Sequence, residues 1–216
     1  METISNYIIN KPQKKMKHWA ALLEEWILSI ERYCRITDGD APYWYNERAN
    51  IGMLAGAAWR CGRIALEEFQ HDKVDVSSCV AADEADRKTW RGRCDLWMSD
   101  ERCQEVVEAK FSWLDMCSAK MIDTAQTCLD TALIDAANTK GEGDMKAIGV
   151  AFLPVYAKAG KVGDVDALSE VILRTIEEAC KTNADLVAWS FPKRVREYVS
   201  EKGDYFPGVI LLAKVV

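Results

Sequence analysis

The chain has 216 residues, enough for one domain with a full hydrophobic core and little room for a second. Its 49% hydrophobic and 29% charged residues exclude a disordered chain, and a formal net charge of −6 counts against a protein dominated by phosphate binding. The longest apolar stretch, Ala147–Ala157, is broken by Pro154 and too short to cross a bilayer, and no apolar signal follows the basic N-terminus, so a cytoplasmic protein is expected.

Apolar Trp19, Leu22, Leu23, Trp26, Ile27 and Ile30 recur at helical spacing and predict a first helix over Lys15–Ile36. The segment TDGDAP, residues 37–42, reads as a loop. Asn46 is a good N-cap, and Ile51, Leu54, Ala55, Ala58, Ala65, Leu66 and Phe69 carry a second helix from there to about Gln70. Ala55, Gly56, Ala57 and Ala58 would let that helix approach a sheet closely.

The pattern then turns to β. Val74–Ala82 alternates, Cys94–Met98 is a short apolar strand, and Cys103–Trp113 follows the tight polar connection SDER, giving an antiparallel meander. Asp115–Asn138 is alanine-rich and helical, Ala147–Ala157 is a strong strand, and Val165–Lys181 is a helix. Leu186–Phe191 and Val209–Val216 read as two further strands around a short helix at Arg194–Ser200. The order predicts an α/β fold, a mixed sheet flanked by helices in a single domain over residues 1–216, without repeats or low-complexity linkers.

Eight cysteines raise the question of zinc or disulfides, but no two stand as C-x-x-C, and the closest pair is Cys94 and Cys103. The two histidines, His18 and His71, lie far apart. Buried free thiols in a reducing compartment are expected, not a structural metal or iron–sulfur cluster.

The chemistry gathers in Gly92-Arg-Cys-Asp95-Leu-Trp-Met and, after the turn, Glu105-Val-Val-Glu108-Ala-Lys110. Alternation along a strand points Glu108 and Lys110 one way and Val107, Ala109 and Phe111 the other. The short connection makes the Asp95 strand a hairpin partner of the Glu108 strand. Two carboxylates and a lysine converging at a sheet suit a divalent cation such as Mg²⁺, which takes a few carboxylate oxygens, a backbone carbonyl and waters. A lysine beside them could orient an attacking water during phosphodiester hydrolysis.

This arrangement resembles the PD-(D/E)XK nuclease superfamily, the restriction-endonuclease-like fold, through Asp95 followed by Glu108-Ala109-Lys110. The resemblance covers residues from about 46 to 157, in the core order helix-strand-strand-strand-helix-strand. The helix over residues 15–36 stands as an N-terminal addition, and residues 164–216 as C-terminal strands and helices. It implies that Asp95 and Glu108, with the Ala109 carbonyl, hold Mg²⁺ or Mn²⁺ and that Lys110 positions the water. Members often add an acid from the helix before the first strand. At about 100° per residue, Glu67 falls opposite the apolar stripe and Glu68 at its flank. Glu47 falls within the stripe, at the helix start where acids meet the dipole. Glu68 is therefore the first choice and Glu47 the second. Cys94 stands where the family has proline.

Other candidates have ordinary explanations beside functional ones. Gln126 resembles a glutamine near the site of some exonuclease-like members, but a surface glutamine on an alanine-rich helix is the commoner explanation. Arg91 and Arg93 flank the motif and could meet phosphates, although turn arginines are usually solvated; the basic runs at Lys11–Lys17 and Lys193–Arg196 share that ambiguity. Trp90, Trp97 and Trp113 could stack on bases, though large aromatics usually pack. No nucleophile–histidine triad, phosphate-binding loop or dinucleotide fingerprint is present. The expected function is a Mg²⁺- or Mn²⁺-dependent nuclease acting on DNA rather than RNA, of the kind found in phage, mobile-element and defence settings. An oligomer or partner protein would supply part of the DNA grip, and no membrane is involved. The rival is a non-catalytic member of the same fold that binds nucleic acid or protein.

Overall fold

The computed structural model describes residues 4–9, 15–75, 89–139, 145–158 and 160–216. Its elements are β1 (Ile4–Ile9), α1 (Ala20–Ile36), α2 (Glu47–Arg60), β2 (Ile64–Val74), β3 (Thr89–Ser99), β4 (Gln104–Phe111) and β5 (Leu114–Asp115). These are followed by α3 (Met121–Thr139), β6 (Lys146–Ala157), α4 (Val165–Ala179), β7 (Leu186–Phe191), α5 (Lys193–Arg196) and β8 (Tyr205–Val215). The strands form one open mixed sheet in the order β1-β7-β8-β6-β4-β3-β2, with β5 against β6. β2, β3 and β4 make an antiparallel meander, and α3 carries the chain over so that β6 runs parallel to β4.

Each face of the sheet has its own apolar layer. Leu22, Trp26 and Ile30 of α1 and Ile51 and Leu54 of α2 pack with Leu96, Val107 and Phe152 on one face. Leu129 of α3 and Leu168 and Ile172 of α4 pack with Leu153, Val187 and Ile210 on the other. Strands β6, β7 and β8 are covered on both sides, which is why they read as nearly unbroken apolar runs. Among the described residues no helix is long and apolar enough to cross a membrane.

The sequence reading departs from the structure most at the second helix. Its start is as expected, with the Asn46 side chain accepting from the Ala49 N–H at 2.9 Å. Its end is not at Gln70 but at Arg60. Gly62 takes φ +85, its N–H reaches Trp59 O at 3.3 Å, and the Arg63 N–H reaches Ala58 O at 2.9 Å. This is the left-handed Schellman ending that glycine favours. Ala65, Leu66 and Phe69 therefore lie in β2, where Leu66 is 54% exposed, and their apparent helical periodicity reflects no buried helix face. Of the expected strand at Val74–Ala82, Val74 is the last residue of β2 and Asp75 lies beyond it; residues 76–88 lie outside the described residues. Smaller shifts occur elsewhere. β1 was not foreseen, α3 begins at Met121 because Leu114 and Asp115 pair with β6, α5 stops at Arg196, and β8 starts at Tyr205.

Gly149 sets how closely α3 approaches the motif strand. It pairs with Glu108 across the β4–β6 ladder, and a Cβ on it would lie 2.8 Å from the Leu133 backbone nitrogen. Gly149→Ala should thus force α3 off the sheet and destabilise the protein by about 1–3 kcal/mol, the usual cost of overpacking. Urea unfolding checks this; a midpoint equal to wild type would mean that the helix yields freely.

Candidate active site

Asp95 sits where strand pairing fails on both sides. Toward β4 the ladder ends at Leu96 with Val107, and the register would set Asp95 opposite Glu108. Toward β2 the pairs Glu67–Leu96 and Phe69–Cys94 leave out Glu68, which adopts φ +55, a left-handed conformation uncommon for a non-glycine residue. In place of a ladder bond, Asp95 Oδ2 accepts the Ala109 N–H at 2.7 Å. A strand N–H lies in the plane of its sheet, so one oxygen of the Asp95 carboxylate is turned toward β4. The carbonyl of a strand residue shares the direction of its own N–H, so the Ala109 carbonyl faces the same opening.

Glu108 and Lys110 lie under α3, as their spacing dictates. Glu108 is only 2% exposed, and its Oε1 accepts from Thr139 Oγ1 at 2.7 Å and from Lys73 Nζ at 2.9 Å. Burial pushes its carboxyl above the ordinary value. The Thr139 and Lys73 hydrogen bonds oppose the shift, and the Asp95 charge adds to it. One helical turn before Thr139, Asp135 holds the Lys110 ammonium at 2.6 Å. Burial alone would lower the Lys110 pKa, but Asp135, Glu47 and Asp95 outweigh it and hold the amine above its usual value. Cys94 is no nucleophile, because burial, with Glu108 beside it, pushes its thiol up to about 12.

The acid contributed by the second helix is Glu47, not Glu68. Glu68 lies on β2 and pairs with Arg93 at 2.6 Å and Arg48 at 3.6 Å, while Glu67 is exposed alongside Gly52 of α2. Once α2 stops at Gly62, the helical wheel that favoured Glu68 no longer applies. Glu47 stands in the first turn of α2, and its carboxyl is raised first by burial and then by the charge of Asp95, with Asp135 and Glu108 adding to it and Lys110 opposing.

Glu47, Asp95, Glu108 and Asp135 thus share one electrostatic neighbourhood with the cations Lys110 and Lys73. Four acids against two amines supply hard oxygen donors of the kind Mg²⁺ or Mn²⁺ takes, but among the described residues no three of these carboxylates stand at ligand spacing as His18, Cys103 and Glu105 do. Mn²⁺ at about 100 times its Kd should stabilise the protein by about 2.7 kcal/mol, raising Tm by roughly 5–10 °C for a chain of this length. Thermal unfolding followed by circular dichroism, in EDTA and in Mn²⁺, measures it. An unchanged Tm would remove the metal from consideration.

The remaining expected residues lie apart from this cluster. Arg93 is committed to Glu68, and Arg91 is exposed on β3. Both amide atoms of Gln126 are engaged elsewhere, with Asp130 at 2.8 Å and with the Asn183 N–H at 2.9 Å. Sequence reading missed Lys73, Asp135 and Thr139. Asp135 and Thr139 are four apart and so share a helix face, but only the packing of α3 on β4 says which face matters. Lys73 reaches Glu108 because Gly92 lets its stem lie across β3, where a Cβ would come within 2.7 Å of Lys73 Cδ.

A second group, His18, Cys103 and Glu105, also has ligand-like spacing. Its centre is the fully buried Glu105, whose Oε1 meets His18 Nε2 while Oε2 accepts from Arg63 at 2.6 Å and Trp19 Nε1 at 3.0 Å. Both carboxylate oxygens are taken and the Arg63 cation balances the charge, so this network anchors β4 to the segments before α1 and β2. No family model, curated protein or solved structure matches the chain.

Proposed function

We propose that this protein is a metal-dependent nuclease of the PD-(D/E)XK type, with a restriction-endonuclease-like fold, that hydrolyses phosphodiester bonds in DNA. The observation that carries the reading is that Asp95, turned to the Ala109 N–H at 2.7 Å, falls opposite Glu108 in the strand register, with Lys110 two residues on held by Asp135 at 2.6 Å. Asp95, Glu108, the Ala109 carbonyl and Glu47 would hold Mg²⁺ or Mn²⁺. Bound there, the ion supplies charge stabilisation at the phosphate and lowers the pKa of a water. Lys110, kept as an ammonium by Asp135, directs a hydrogen bond and a positive charge toward the reacting group. Thr139 fixes the rotamer of Glu108, and the Ala109 N–H fixes that of Asp95. The described cysteines are all free, in keeping with a reducing, cytoplasmic setting.

The test is cleavage of supercoiled plasmid and of single-stranded circular DNA with Mg²⁺ or Mn²⁺, beside an EDTA control. No cutting of either substrate, together with no Mn²⁺ uptake by calorimetry, rejects the nuclease. The rival, a chain of this fold that binds nucleic acid without cutting it, draws on Lys73. Its ammonium already neutralises Glu108 at 2.9 Å. Restored cutting in Lys73→Ala would show that this lysine restrains an otherwise competent site.

A further inference from the structure

An aromatic band begins one residue beyond Lys110. Phe111 packs edge-on to Trp113 at a centroid distance of 6.1 Å, and Trp113 meets Phe206 at 5.6 Å and Tyr156 at 6.3 Å. Phe206 then meets Trp44 at 6.4 Å, and Trp44 meets Tyr198 at 5.7 Å. None of these rings belongs to the buried core, and Tyr198 is 50% exposed. The rings brace one another, and Trp44 Nε1 is tied to Phe206 O at 3.2 Å. Trp44 and Phe111 also pack against the core, and the rings together leave a contiguous, partly open aromatic surface of the kind interaction sites use.

Charge tells what it meets. At the Phe111 end a groove of about 410 Å³ runs along α3 and contains Lys120 and Asp123, with Lys110, whose ammonium Asp135 holds at 2.6 Å. At the Tyr198 end, two residues past α5, a groove of about 830 Å³ carries Arg32, Arg35, Lys193 and Arg194 against Glu31 and Asp38, with Arg194 and Asp38 paired. Cations exceed acids in this second groove, on a protein that is acidic as a whole. Rings that lead toward a cationic groove match the chemistry of an unpaired strand, whose bases stack while its phosphates seek positive charge. A duplex keeps its base faces stacked inside and offers nothing to these rings.

We propose that the band from Phe111 to Tyr198 is a track for single-stranded nucleic acid, delivering an unpaired strand to the neighbouring site. This deepens the nuclease reading by naming the strandedness of its substrate, and rests on that reading only for what happens at the end of the track.

The test is fluorescence anisotropy in EDTA with a fluorescein-labelled oligo-dT of about 16 nucleotides, at the long end of known single-strand footprints, beside a duplex of equal length. Single strand binds more tightly than duplex. Tyr198→Ala weakens single-strand binding about tenfold, as loss of one stacked base does, and Tyr198→Phe leaves it unchanged. Lys193→Ala lowers the slope of log affinity against log salt by roughly 0.7, the value of one single-strand phosphate contact. Equal binding of duplex and single strand, or wild-type affinity in Tyr198→Ala, overturns the track. Mn²⁺ calorimetry on the same preparations separates the two readings. Mn²⁺ uptake without oligo-dT binding rejects the track and leaves the metal site standing, whereas Tyr198-dependent oligo-dT binding without Mn²⁺ uptake rejects the metal site and leaves the track.

Discussion

Lys110→Ala should lower metal-dependent cleavage by about 10²–10⁴-fold, the range seen when a positioned proton-transfer or charge-stabilising group is lost. It should do so without weakening the metal. The substitution removes a cation from a neighbourhood already rich in carboxylates, so Mn²⁺ affinity by calorimetry should hold or rise. Glu108→Gln should differ in kind. It loses a carboxylate that Thr139 and Lys73 hold in place, and both Mn²⁺ uptake and cutting fall together. A Lys110→Ala protein that cuts at the wild-type rate would leave the lysine as no more than the ion-pair partner of Asp135. Rates should be compared at saturating metal, so that occupancy does not stand in for chemistry.

The largest expected loss of stability lies outside the cluster. Glu105→Gln leaves Arg63, which is 5% exposed, without the carboxylate that faces it at 2.6 Å. Breaking a buried pair from one side costs about 3–5 kcal/mol, which for a chain of this length is a fall in Tm of roughly 6–20 °C. The pH dependence has a definite sign. Burial pushes the Glu105 carboxyl up, but the hydrogen bonds and charges of His18 and Arg63 more than reverse this, so its native pKa lies below the ordinary value. A depressed native pKa contributes stability that is present above the unfolded carboxylate pKa and lost as pH falls through the native one. The gap between wild type and Glu105→Gln should therefore be widest at neutral pH and close in acid. A gap that stays constant down to the lowest pH at which both proteins fold would show that Glu105 contributes packing and not charge.

The two predictions probe the two ends of β4, at Glu105 and at Glu108 and Lys110, and they call for different readouts. Glu105 faces the segments before α1 and β2, where the network with His18, Trp19 and Arg63 is closed. Glu108 and Lys110 face α3, where charge is left over. Gly149→Ala should move only the second end, because Gly149 lies beside Glu108 and against Leu133 of α3.

Sequence by itself determined the features that depend on a few neighbouring residues. The two-residue repeat of a strand puts Glu108 and Lys110 on one side and Val107 and Ala109 on the other, wherever the strand lies. Asn46 caps a helix because its side chain reaches the N–H three residues on. The apolar run in β6 requires cover on both faces, and with the helical segments around it this requires a layered α/β sheet. Only the tertiary structure decided which distant groups meet. Gly62 turned the chain from helix to strand eight residues before Gln70, and that turn put Glu68 on β2, paired with Arg93, and left Glu47 as the α2 acid in the neighbourhood of Asp95 and Lys110. Asp135, Thr139 and Lys73 join it because α3 sits directly on Gly149 and because Gly92 leaves a path across β3. Alternation and capping act over one turn or less and can be read in a line of residues. Convergence of charge depends on the angle and spacing between elements far apart in the chain, and packing alone sets those.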